Sequence, residues 1–153
     1  MRKLNLLLIV SLFLATLSCK KDEEPTKKDL LSGKNWILTA ETVSPAVDFG
    51  GVLITDLYAQ MDDCTKDDIG KFNSNGTYTF EEGATKCDVN DPQVWDSGTW
   101  VFNSDQTILV MTSLTNGTVN AEIVELTSSK FVTSQDMTVD NIKYTITDTY
   151  QKK

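Results

Sequence analysis

From Ile69 onward the sequence repeats one device: a short run of alternating apolar and polar residues, then a turn, then another run. Ile69-Gly70-Lys71-Phe72 leads into Asn73-Ser74-Asn75-Gly76, and Thr77-Tyr78-Thr79-Phe80-Glu81 answers it on the far side. Asn-Gly is a strong hairpin signal because both residues tolerate positive φ. Gly98 to Phe102 meets the turn Asn103-Ser104-Asp105-Gln106 and then Thr107 to Met111. Asn116-Gly117 turns into Thr118 to Leu126, where Val119, Ala121 and Ile123 share a face. Ser128-Ser129 leads into Lys130 to Ser134, and Asp140-Asn141 into Ile142 to Tyr150. In that last run Ile142, Tyr144, Ile146 and Tyr150 face one way, with Lys143, Thr145 and Thr147 opposite, the period of a half-buried strand. Upstream, Trp36 to Thr42 is rich in apolar and β-branched residues and reads as the first strand. A helical turn over Lys28 to Gly33 precedes it, with Gly33 in the place of a C-terminal cap.

These segments make eight strands in sequence order with mostly short connections. An all-β, antiparallel up-and-down meander of that size closes into a barrel and so removes its edges. Its interior is filled by side chains or holds one small ligand. A flattened sandwich is the alternative. Two connections are long, residues 43–68 and 83–96. In the first, Ile54, Leu57, Tyr58 and Met61 follow i, i+3, i+4, i+7 spacing, which predicts an amphipathic helix over Leu53 to Asp62. Such a helix would be a lid over the barrel mouth or a permanent part of the core.

Residues 1–18 have the layout of a secretory signal: Arg2 and Lys3, then an apolar stretch from Leu4 to Leu17 that is short for a membrane span. Ser18 then precedes Cys19. Thr16-Leu17-Ser18-Cys19 resembles the lipobox of bacterial lipoproteins, although Leu17 stands where a small residue is commoner. That resemblance implies cleavage before Cys19 and lipidation of its thiol. The alternatives are a plain secretory signal or an uncleaved anchor helix. Residues 19–27 hold Lys20-Lys21-Asp22-Glu23-Glu24-Pro25, charged and with nothing to bury, so they read as a flexible tether. The Lys-Asp-Glu-Glu run resembles the surface-export signal of Bacteroidetes lipoproteins; the alternative is a merely solvated linker. The membrane is then a partner through the lipid on Cys19, since buried acyl methylenes contribute ~0.8 kcal/mol each.

Two cysteines remain, Cys64 and Cys87. An even pair outside the cytoplasm suggests a disulfide. Two free thiols or a metal pair are the alternatives, and the absence of a CxxC motif and of any His weakens zinc.

Leu31-Ser32-Gly33-Lys34-Asn35-Trp36-Ile37-Leu38 resembles the opening of the lipocalin-like domain of Bacteroidetes lipoproteins, with one residue inserted into its Leu-x-Gly-x-Trp pattern. Cys64 to Ile69, Phe72 to Tyr78 and Gly98-Thr99-Trp100 fit the same family. The resemblance spans about residues 28–151. It implies a lipocalin-type barrel over residues 28–153 and assigns neither a ligand nor a binding residue.

Charge and composition exclude several chemistries. Asp and Glu number 22 against 14 Lys and Arg, for a net charge of -8 in 153 residues. Removal of Arg2, the only arginine, and Lys3 makes the chain more acidic still. No nucleic-acid partner is expected of such a surface. With no His, a Ser-His-Asp triad cannot form. Asp62, Asp63, Asp67, Asp68, Glu81, Glu82, Asp88, Asp91 and Asp96 gather around the long connections. Asp88-x-Asn90 begins like a calcium loop, but Gln93 and Thr99 replace the required Gly and Glu, so no EF-hand is present. An irregular calcium site or a solvated acidic rim remain. The two Asn-Gly-Thr sequons at Asn75 and Asn116 read as hairpin turns. The strand aromatics fill a core or stack on a ligand, and Trp95, in a long loop, is a contact candidate.

The expectation is a lipid-anchored outer-membrane protein at the cell surface, with a periplasm-facing placement as the alternative, monomeric and not an enzyme. No metal or other cofactor is expected. The barrel would bind a small apolar molecule, with Trp36, Tyr58, Trp95 and Trp100 as candidate contacts. The alternative is a surface module that contacts a protein or glycan through acidic loops. A third possibility is an enzyme built on a close carboxylate pair.

Overall fold

A computed structural model describes residues 24–153; the expected signal segment, Cys19 and the start of the tether lie outside the described residues. The domain opens with helix α1 (Lys27–Leu31), one residue earlier than the sequence pattern suggests. Thr26 and Asp29 cap it reciprocally, and Gly33 leaves it at φ +70°. Nine strands follow. They are β1 (Asn35–Phe49), β2 (Val52–Asp56), β3 (Ile69–Phe72), β4 (Thr77–Glu81), β5 (Val94–Phe102), β6 (Ile108–Ser113), β7 (Gly117–Leu126), β8 (Lys130–Val139) and β9 (Ile142–Lys152).

Eight of them form a closed antiparallel up-and-down barrel. The order runs β1-β3-β4-β5-β6-β7-β8-β9, and β9 returns to β1. Closure rests on β1, which pairs with β3 through Asn35–Ile37 and with β9 from Trp36 to Ser44. The upper part of β1 carries β2 instead of β3. Pro45, which has no N–H to donate, sits where the β1–β2 register shifts between Thr42 and Val47.

The expected helix over Leu53–Asp62 is not formed. Val52–Asp56 is strand β2, a one-turn 3-10 helix covers Tyr58–Gln60, and a short helix α2 covers Asp63–Lys66. The cause lies just upstream. Gly50 and Gly51 both take positive φ, +66° and +94°, and make a two-residue hairpin loop with Phe49 opposite Val52. Once that turn forms, Val52-Leu53-Ile54 continues as a strand. Leu57, Tyr58 and Met61 are half-buried all the same, so their helix-like spacing recorded burial without a helix.

One end of the barrel is plugged. Leu31, Trp36, Phe72, Tyr78, Trp100, Leu109 and Phe131 form the buried cluster there. α1 delivers Leu31 into it, and the Trp36 indole Nε1 donates to the Leu31 carbonyl at 2.9 Å. Phe72 is the hub, meeting Trp100 and Phe131 edge-on with centroids 5.9 and 6.1 Å away. The opposite end holds the two long connections. The Cys64–Cys87 disulfide joins them. Asp67 Oδ2 reinforces the joint by accepting from the backbone N–H groups of Ala84 and Thr85 at 2.9 and 3.0 Å.

The cysteines are 23 positions apart, so the bridge removes a long loop's worth of freedom from the unfolded chain. Replacing Cys87 with serine is expected to lower the unfolding free energy by about 3 kcal/mol. Urea unfolding of the variant and of the oxidised protein measures the difference, and reduction with dithiothreitol is expected to reproduce it.

Candidate functional site

Above the aromatic plug the barrel is hollow. A cavity of about 340 Å³ opens toward the disulfide-bonded end, within the range of small-molecule sites. Trp36, Phe72, Leu109 and Phe131 make its floor. Leu38, Phe80, Met111, Val119, Ala121 and Tyr150 make most of its wall. Met61, Thr65, Asp68 and Trp95 stand where the long connections meet it. Two small residues in the lining contribute to the hollow. Ala121 and Gly70 contribute little or no side chain to the wall, and a Cβ on Gly70 would lie 2.9 Å from the Phe80 ring.

Apart from Ile69, the remaining lining is polar and sits on three adjacent strands. Glu41 on β1 faces Asp148 on β9, and Asp148 faces Thr133 on β8. Gln135 lies one inward position further along β8. Glu41 points inward because β1 carries an extra residue between Leu38 and Ala40 relative to β9. Without that bulge, alternation from Trp36 and Leu38 would turn Ala40 inward instead.

Burial in this wall, together with the nearby Glu41 carboxylate, pushes Asp148 up to about 7. Burial also raises Glu41. The Tyr150 hydroxyl is driven well above its ordinary range by burial and then by the two carboxylates. At the mouth Asp68 is pushed up to about 6, first by burial and then by Glu82. Asp148 Oδ1 and Asp68 Oδ1 are buried with no hydrogen-bond partner among the described residues. The ion pairs there, Lys66–Asp63, Lys71–Glu81, Lys130–Glu125 and Lys143–Asp136, include none of the cavity's acids.

One family model matches the chain, over residues 18–152, that of a domain of unknown function. The chain belongs to the DUF5004 family. No curated protein matches it.

Within the DUF5004 domain the aromatic candidates separate. Trp36 is 1% exposed and lines the cavity floor. Trp95 lies near the start of strand β5 rather than in the long loop where the sequence placed it; it is 46% exposed, lines the mouth and stacks on Phe80 with centroids 5.2 Å apart. Trp100 is not part of the cavity wall: it lies lower in the plug, and its Nε1 donates to the Thr77 carbonyl at 3.0 Å. Tyr58 is also outside the wall, on the 3-10 turn, with the Lys66 ammonium 5.6 Å from its ring centroid.

The acidic residues near the long connections of this DUF5004 chain do separate jobs. Asp67 ties the two connections together, Glu81 pairs with Lys71 at 2.6 Å, and Asp96 accepts from the Tyr78 and Ser113 hydroxyls. Among the described residues no three metal-binding side chains converge. Sequence reading passed over Glu41 and Asp148, the two acids deepest in the barrel. A signal for Asp148 was present, since it occupies the inward position between Ile146 and Tyr150.

Proposed function

We propose that this DUF5004 chain is a lipocalin-like lipoprotein, anchored to the outer membrane through Cys19 and exposed at the cell surface, that holds a small, largely apolar molecule in its barrel. The cavity carries this reading: a hollow of about 340 Å³ with a mostly apolar lining, closed at one end and open at the other. A barrel that served only as a platform for surface contacts would gain stability by filling that space. The lipobox-like Thr16 to Cys19 and the charged tether support the anchored placement. Trp95 at the mouth supplies a flat apolar contact that an entering molecule meets first.

The test is uptake of the neutral probe N-phenyl-1-naphthylamine by the purified full chain, followed by its fluorescence, alongside native mass spectrometry. Saturable uptake at one site per chain is expected, with an adduct lost on denaturation when the expression host supplies a ligand. Absence of both uptake and adduct would overturn the carrier reading.

A further inference from the structure

The polar patch on the cavity wall has one sign. Glu41, Asp148 and, nearer the mouth, Asp68 are its ionisable carboxyls, and no Lys or Arg among the described residues lines the cavity. Thr133, only 4% exposed, adds a hydroxyl beside Asp148 on the neighbouring strand. The Asp148 Oδ1 atom is buried without a partner among the described residues. A purely apolar guest would leave that acceptor unsatisfied and the facing Glu41 and Asp148 carboxyls uncompensated, a costly arrangement in a low-dielectric site. An ammonium or amidinium group placed between them would donate to both and neutralise one charge.

We infer that the ligand is an organic cation: an amine or amidine head seated between Glu41 and Asp148, with an apolar body against Phe80, Met111 and Val119. This rests on the barrel being a ligand carrier and adds the chemical class of the ligand. Three features converge on it: a cavity of small-molecule size, a facing pair of acids on its wall, and a buried acceptor with no partner. The groups facing Asp148 are Glu41 from β1 and Thr133 from β8, with Tyr150 along its own strand. None supplies a positive charge, so in its ionised form the pair is compensated by a cationic guest. Asp68 at the mouth extends the same sign of potential along the route in.

Competition against bound N-phenyl-1-naphthylamine tests this, using n-octylammonium and 1-octanol, which share a tail and differ in head. At pH 8 octylammonium is expected to displace the probe at about tenfold lower concentration than octanol or better, the usual advantage of a charge-assisted hydrogen bond. At pH 5 the advantage is expected to shrink, because protonation of Asp148 removes one of the charges the head pairs with. Asp148→Asn and Glu41→Gln should each weaken octylammonium by a larger factor than octanol, whose hydroxyl makes only an uncharged contact there, and an unchanged far-ultraviolet circular dichroism spectrum shows that each variant is folded. If Asp148→Asn fails to fold, Glu41→Gln carries the comparison. Equal affinity for the two heads at pH 8, or octylammonium binding untouched by Glu41→Gln, would overturn the cation assignment while the carrier reading stood. Failure of the probe itself to bind would instead overturn the carrier reading.

Discussion

Trp36→Ala is expected to lower the unfolding free energy by about 3–5 kcal/mol, the cost of removing a large aromatic from a packed interior. A domain of this size is held by only about 5–15 kcal/mol, so the variant is expected to sit near the edge of folding at physiological temperature. Three losses combine. The indole is buried and packs against Phe131 with centroids 5.8 Å apart. Its Nε1–H holds the Leu31 carbonyl at the last turn of α1, so the plug loses the contact that seats Leu31. The space vacated joins the cavity above it, and a void that is already open cannot be closed by small shifts of its neighbours. Urea unfolding followed by far-ultraviolet circular dichroism measures the change. Trp95→Ala removes an equally large side chain from the exposed mouth and is the internal control, expected to cost well under half as much.

Asp148→Asn is expected to stabilise the protein, by an amount that grows with pH. Folding raises this carboxyl from the ordinary value near 3.8 to about 7. Between those limits the folded chain holds a proton that the unfolded chain has released. Unfolding therefore releases a proton, and the stability of the native protein falls as pH rises, by at most about 1.4 kcal/mol per pH unit. Below the lower limit both states are protonated and the penalty is absent; above about 7 it is complete. Asparagine carries no charge at any pH, so the gap between the two proteins should open from about pH 4 and level off above pH 7. The depressed carboxyls of Asp29, Glu81 and Asp136 add stability that is lost in acid, but they are common to both proteins and cancel in the difference. Urea unfolding of both proteins at half-unit steps from pH 4 to 8 is the measurement. A constant gap across that range would mean that Asp148 does not carry a strained charge. A variant that is more stable yet loses octylammonium is what a binding residue produces, and a merely structural one does not.

Much of the fold was legible because its determinants are local. Apart from the long β4–β5 connection, each hairpin from β3 to β9 is written as an alternating run, a turn and another run, and the order of pairing follows the chain. The Asn75-Gly76 turn, with Gly76 at φ +86°, and the Gly117 residue at φ +83° sit where the turn signals placed them. The disulfide was legible for a related reason, since two cysteines in the two longest connections of a barrel meet if those connections share an end. β2 was missed where two local signals competed. The spacing of Ile54, Leu57, Tyr58 and Met61 suggested a helix, whereas Gly50-Gly51 makes a hairpin that captures Val52-Leu53-Ile54 first.

The sequence by itself determined the meander from β3 to β9, because hairpin pairing depends on residues a few positions apart, and the two leftover cysteines placed the bridge. Tertiary structure alone decided whether the barrel is filled and what lines it. The volume left inside is the sum of inward side chains from eight strands, and no local window contains that sum. The bulge between Leu38 and Ala40 was just as invisible, because it exists only in the register of β1 against β9. That one-residue shift turns Glu41 inward to face Asp148, two acids over a hundred positions apart. Their meeting in a low-dielectric wall gives the cavity its charge, and only closure of the barrel brings them together.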